Sequence, residues 1–210
     1  MDTTSFPEFW HSIPRDIAAL MPNSPELPYD AHLILNSIAR HSHELYQHSL
    51  RVGHMAWHMS HSLGVPTYER QQIWLAALLH DCGKTRMPRS LLFCPPPGSP
   101  HWEVALYQQH VNESLDVLHA YPTLHLLIPL VAEHHERIDG TGFPRGSKYP
   151  ARSAQIVALA NALDHLRAQP SSLSPNLQGL IDQAIDHHWD SAVAATALSA
   201  WQQTKLAEVG

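Results

Sequence analysis

The run Ile73-Trp74-Leu75-Ala76-Ala77-Leu78-Leu79 has no polar residue on any side, and it ends directly on His80-Asp81. A helix that is apolar all round belongs in the middle of a bundle, not on its surface. An ionised carboxylate delivered to the end of such a helix is costly unless a cation compensates it. The run therefore needs other helices to cover it, and Asp81 needs something positive to meet it. Gly83, two residues on, is expected to make the turn that presents both side chains to one point.

The flanking sequence supplies the covering helices. Asp30 can cap a helix in which Leu33, Ile34 and Ile38 keep helical spacing into His41. A second periodic stretch carries Leu45, Val52, Met55 and Met59 and stops at Gly64-Val65-Pro66; the third, from about 67 to 80, contains the apolar run. Helical patterns resume at 102–120, 123–136, 153–168 and roughly 177–206. Residues 87–100 and 139–150 are rich in Pro and Gly and read as irregular. No strand-like alternation persists, so the expected fold is an all-α bundle. Five prolines within residues 1–30 set off a packed extension, with one short helix near 14–21. The boundary is expected at 35/36, with one domain over 36–205.

Of 210 residues, 18 are histidine, and charged residues reach only 15% against roughly 25% in ordinary domains. The net charge of −6 argues against binding the phosphates of long nucleic acids, though not against a small phosphorylated ligand held by metal. The longest apolar runs are far short of the ~20 residues of a membrane span. Residues 1–30 lack the pattern of a secretory signal. Two cysteines, Cys82 and Cys94, are too few for a disulfide scaffold, so a reduced cytoplasmic setting is expected.

Helical phase sorts the histidines. His48 lies in the buried stripe of Leu45, Val52, Met55 and Met59, with Glu44 one turn earlier beside it. His54, His58 and His61 point elsewhere and are expected to be solvated. His110 shares phase with Leu106, Tyr107, Val111 and Val117; His134-His135 end the apolar face carrying Leu127, Ile128, Leu130 and Val131. Taken singly, each also suits a hydrogen-bonded core histidine or a helix cap. Together, His48, His80, His110, His134 and His135 with Glu44 and Asp81 form a mixed N and O donor set suited to iron, manganese or zinc. That set exceeds the four ligands of one closed zinc site, which points to two or three metals.

Several segments, in this order and spacing, resemble the HD-GYP family of all-helical metal phosphodiesterases of cyclic di-GMP signalling: His48-Ser-Leu-Arg51-Val52, Leu78-Leu79-His80-Asp81-Cys82-Gly83-Lys84, His110, and His134 through Pro144. Residues 187–190, His-His-Trp-Asp, resemble the family's closing segment more weakly, and Phe143 stands where GYP has tyrosine. The resemblance implies an HD-domain helical bundle in which His48, His80, Asp81, His110, His134 and His135 ligate two or three divalent metals. Fe or Mn is the first choice of metal, with Zn, Ni or Co the others. Glu44 matches the extra carboxylate of three-metal members. Asp81 would bridge two metals, Lys84 would meet a phosphate oxygen, and Arg137 and Arg167 would contact substrate. Arg137 could instead tie the 139–146 loop to the helix bearing the two histidines. The implied reaction is in-line attack of a metal-bridging hydroxide on a cyclic dinucleotide, giving pGpG or GMP. A signalling protein partner and a homodimer are compatible with it.

Two departures bear on this. The family's A-D-x-x-D-A-L helix reads Ala160-Asn161-Ala162-Leu163-Asp164-His165-Leu166 here, so Asn161 offers a carbonyl where a carboxylate ligand is expected; Asp164 is the other candidate on that side. The family's R-P-Y-R segment reads Arg167-Ala168-Gln169-Pro170. Two alternatives therefore stay open: a metallohydrolase for another nucleotide or phosphoester, and a degenerate module that binds or signals without turnover.

Overall fold

Helix α1 (Tyr29–His41) opens the described part of the molecule, a computed structural model that describes residues 27–93, 95, 98–167, 188–196 and 199, the side chains of 166 and 167 excepted. The short helix expected at 14–21 and most of the helix expected over 177–206 lie outside the described residues. Ala31, Ile34, Leu35 and Ile38 bury one face of α1, so the bundle already includes residues on the near side of 35/36. Asp30 is not the cap; Pro28 is, and Asp30 sits in the first turn, where Thr123 donates its hydroxyl to it.

Next come α2 (His43–Ser62), α3 (Thr67–Leu79), α4 (His101–Gln108), α5 (His110–His119), α6 (Ile128–Glu133) and α7 (Arg152–Arg167), with 3-10 turns at Cys82–Arg86, Arg89–Leu91 and Pro122–Leu127. Among the described residues there is no strand, and no helix is long and apolar enough to cross a membrane. Ser42 starts α2 by accepting a 3.2 Å bond from the Leu45 amide. As its composition demands, α3 is the centre of the bundle: α1, α2, α6 and α7 all pack against it, and Ile73, Trp74, Ala76, Ala77, Leu78 and Leu79 are buried. Gly53 lets α2 come close to this helix, since a Cβ there would lie 2.6 Å from Leu78 Cδ2.

Two helices expected to be continuous are broken. The 102–120 stretch divides at Gln109, whose amide bonds to Leu106 O in 3-10 fashion. The 123–136 stretch divides at Ile128, because Pro129 has no N–H to give to the carbonyl four residues back. The α-helix restarts with proline in its first turn, where no donor is needed. It then ends at Glu133, which leaves His134 and His135 just past its last turn. Both breaks place histidines at helix ends.

Candidate metal centre

Three histidines are set by one local device. His80, His110 and His134 stand at or just past the end of a helix, and each ring donates Nδ1–H to the carbonyl three residues earlier. The bonds are His80 to Ala77 O (2.8 Å), His110 to Tyr107 O (2.6 Å) and His134 to Val131 O (2.6 Å). Each bond uses one of the carbonyls that a helix end leaves unpaired and fixes the tautomer, so that Nε2 carries the lone pair. His48 is held differently, from mid-α2: its Nδ1 lies 2.7 Å from Asp164 Oδ2 on α7. Arg51 grips the same carboxylate with Nε at 2.6 Å and Nη2 at 2.8 Å.

Asp81 follows α3 at φ −102°, ψ 13° and is fully buried. Its Oδ1 lies 3.3 Å from His110 Nε2; its Oδ2 lies 3.3 Å from His80 Nε2 and 3.6 Å from His48 Nε2. Donor atoms of Asp81, His110, His134 and His135 all lie within 4.8 Å of one another, as do those of His48, His80 and Asp81. Asp81 thus belongs to both groups, the position a bridging carboxylate requires. Lys84, buried under the Tyr107 ring, puts Nζ 2.8 Å from Asp81 Oδ2. Here Lys84 is the counter-ion of Asp81.

Gly83 works by absence of bulk. A Cβ there would lie 2.2 Å from the Ser114 amide and 2.4 Å from His110 O, so the turn packs directly on the α5 backbone. Ser114 ties the two together, accepting from Gly83 N (2.8 Å) and donating to His80 O (2.9 Å). Cys82, beside the candidate ligands, joins neither donor group: burial pushes its thiol up to about 12, and Sγ–H points to Ser114 O at 3.7 Å.

The loop after His135 is organised by two acids that sequence reasoning passed over. Glu136 is buried and accepts from the Arg145 and Ser147 amides at 2.8 and 2.7 Å; Glu133 accepts from the Ala151 amide and Arg145 Nη2, both at 2.8 Å. Arg137, expected to contact substrate and offered as an alternative tie for this loop, is exposed, with a 3.4 Å contact to Thr141 Oγ1. An acid directly after two inward histidines and before a Gly/Pro loop was the available signal. Phe143 stacks on His135 at 4.4 Å between ring centroids.

Glu44 is exposed in the first turn of α2 and joins neither group, although its charge acts on Arg51. Asn161 is buried, and its Oδ1 has no hydrogen-bond partner. Asp164 has both oxygens engaged by His48 and Arg51, which makes it a holder of His48 and leaves Asn161 as the α7 oxygen still available. Arg167 has its side chain outside the described residues. His58 and His61 are exposed as expected, while His54 is half-buried.

These side chains fit divalent cations on two observations. Asp81 Oδ1, His134 Nε2 and Asn161 Oδ1 are buried without a hydrogen bond, a costly state for polar atoms. His48 Nε2 and His80 Nε2 face each other at 3.4 Å although both rings have committed their Nδ1 protons elsewhere. Two opposed lone pairs need a cation or an added proton between them.

Burial pushes His110 down to about 4 and holds His134 and His135 well below the usual imidazole range, so all three present lone pairs at neutral pH. Burial opposes ionisation of Asp81 too, but His80 and Lys84 outweigh it and keep the carboxyl well below its usual range. His48 is moved upward, because Asp164 and Asp81 outweigh its burial. These directions are those of the metal-free protein. Between about 4 and 6.5 the unfolded chain binds protons at His110 that the folded one refuses, so stability falls as pH drops through that window. His134, His135 and His165 act in the same sense, and among the described histidines His48 opposes them. At ~1.4 kcal/mol per pKa unit, His110 contributes on the order of 3 kcal/mol. Urea denaturation in chelator should therefore show lower stability at pH 5 than at pH 7; equal stability would mean that these rings are not held neutral.

A family model described as HD domain matches residues 32–193. The chain is 29% identical over 151 residues to the 3'3'-cGAMP-specific phosphodiesterase 1 of Vibrio cholerae, covering 70% of this chain and 35% of that protein. It is 34% identical over 137 residues to a cyclic di-GMP phosphodiesterase of Thermotoga maritima, covering 62% and 37%. The chain thus spans little more than a third of the length of these curated relatives. The structure resembles the HD domain of the Listeria monocytogenes phosphodiesterase PgpH, with a TM-score of 0.63 and 14% identity over 85% of this chain and 100% of that one, a likeness of fold. With most of its length matched by that model, and with the histidine and aspartate pair at the hub of the bundle, the chain belongs to the HD domain family.

Proposed function

We propose that this protein is a metal-dependent phosphodiesterase of the HD-GYP type that hydrolyses a cyclic dinucleotide, cyclic di-GMP first, to the linear dinucleotide or on to GMP. The observation that carries the reading is Asp81: buried, ionised and shared by two imidazole groups. His110, His134 and His135 would hold one cation with Asp81, and His48 and His80 another. The imidazole-rich donor set favours iron or manganese over magnesium, which prefers oxygen. Such cations, when bound, supply an activated water and neutralise the non-bridging oxygens of the phosphodiester.

The chain's own groups do the rest. The Nδ1 bonds hold the rings in place before substrate arrives, so no reorganisation is needed as charge develops. Lys84, which pairs with Asp81 here, would exchange that contact for a phosphate oxygen once cations neutralise the carboxylate. Phe143, stacked on His135, supplies an apolar surface beside the site. Arg137, exposed at the start of the same loop, is a candidate contact for the second phosphate.

A second reading, 3'3'-cGAMP as substrate, is supported by the names of relatives such as the Vibrio cholerae enzyme and by the missing arginine-rich segment after α7. Protein loaded with Mn²⁺ or anaerobic Fe²⁺ should release pGpG or GMP from cyclic di-GMP. Turnover of 3'3'-cGAMP alone would select the second reading, and no turnover of either would sink both.

A further inference from the structure

The two donor groups are unequal. Asp81, His110, His134 and His135 offer four side chains to one cation, whereas His48, His80 and Asp81 offer three. Side chains on α7 stand next to the poorer group. Asn161 and His165 are four residues apart on that helix and so share a face, and Asp164 beside His165 bonds His48 directly. We propose that His165 is the missing fourth donor, ligating the cation of the His48–His80–Asp81 group; this rests on the metal-centre reading above.

Spacing is the first support. The His165 and His48 ring centroids are 5.0 Å apart. Ring pairs within the centre span 4.1 Å (His134 and His135) to 5.7 Å (His110 and His134), with His48 and His80 at 5.3 Å. The second support is the surroundings. His165 is half-buried, and the ring it lies against is His48, a member of the poorer group. The third is its freedom. Its ring takes part in no hydrogen bond with a described residue, unlike His48, His80, His110 and His134, whose Nδ1 atoms are all committed. His165 lies outside the tight cluster as it stands, so ligation includes a side-chain rotation on loading. Asn161 Oδ1, buried and unpaired one turn earlier, is a neutral oxygen on the same face.

Chemistry gives the ligation a consequence. With His165 in place, each cation would meet three imidazoles and a share of one carboxylate. Such subsites favour iron, cobalt or zinc over magnesium or calcium.

The test uses the full chain, stripped with chelator and titrated with Co²⁺, following bound equivalents, affinities and the visible absorption of the cobalt. The wild type is expected to take up two equivalents. His165→Ala should lose the second or weaken it about tenfold or more, and change its absorption band, while the first is unaffected. Millimolar imidazole, entering the half-open space left behind, should restore the second equivalent. Unchanged affinities and spectrum in His165→Ala would overturn the proposal, as would a loss that imidazole does not repair. Asp81→Ala separates this from the underlying reading: if the wild type binds no cobalt, or Asp81→Ala binds it as the wild type does, the metal centre itself is wrong.

Discussion

Asp81→Asn should abolish phosphodiester turnover and empty both cation positions, because one carboxylate serves both imidazole groups. Loss of several kcal/mol of charge stabilisation corresponds to ~10³-fold or more in rate. The variant carries a second, separable effect. Lys84 is buried with Asp81 as its counter-ion, and removing one partner of a buried pair costs about 3–5 kcal/mol. Metal-free Asp81→Asn should therefore unfold at markedly lower urea than the metal-free wild type. Adding Lys84→Met removes the stranded ammonium and should recover much of that stability without recovering metal or activity. If Asp81→Asn still binds two equivalents, or if the double variant is no more stable than the single one, the shared role of this carboxylate is refuted.

Gly83→Ala is the second change with a large expected effect. The added methyl would meet backbone atoms only: the Ser114 amide at 2.2 Å, His110 O at 2.4 Å and the Glu113 carbonyl carbon at 2.6 Å. Overpacking against side chains costs about 1–3 kcal/mol, and a helix backbone yields less readily than a side chain. The expected loss is therefore at or above the top of that range. Relief requires α5 to move away from the Cys82–Arg86 turn, which carries His110 away from Asp81 and breaks the Ser114 bonds to Gly83 and His80. Thermal unfolding and cobalt equivalents should both fall. Gly53→Ala is the comparison, since its methyl meets the flexible Leu78 side chain and should be milder. A Gly83→Ala protein as stable as the Gly53→Ala one would show that the turn has room to relax.

Much of this site was legible in the sequence because its signals are local. The apolar run 73–79 could only be central, and helical phase put His48 and His110 inward. Adjacency did the same for His80-Asp81 and His134-His135. Gly83 was expected to make the turn after His80-Asp81, and it lies in one; its close approach to another helix is a long-range fact invisible to local pattern. The continuous helices expected across Gln109 and Pro129 were wrong, although Pro129 was in plain view. Its effect was outweighed by the apolar periodicity around it. Asp164 and Arg51 were read as a spare ligand and an unassigned motif residue because their meeting, across 113 residues of sequence, is made only by the fold. Glu44 shows the converse: correct spacing to His48 along a helix did not turn its side chain inward.

The ring bonds have a consequence for how such a centre can change over time. His80, His110 and His134 are aimed by main-chain carbonyls, which no substitution at Ala77, Tyr107 or Val131 can delete. Their basicity and direction are therefore inherited with the helix ends and nearly immune to point mutation. Of the four rings whose Nδ1 is committed, His48 alone is aimed by a side chain, Asp164, whose own charge is balanced by Arg51. One end of the centre is thus fixed by architecture while the other is adjustable residue by residue. Drift in metal preference, or its deliberate redesign, should begin at the α2–α7 seam.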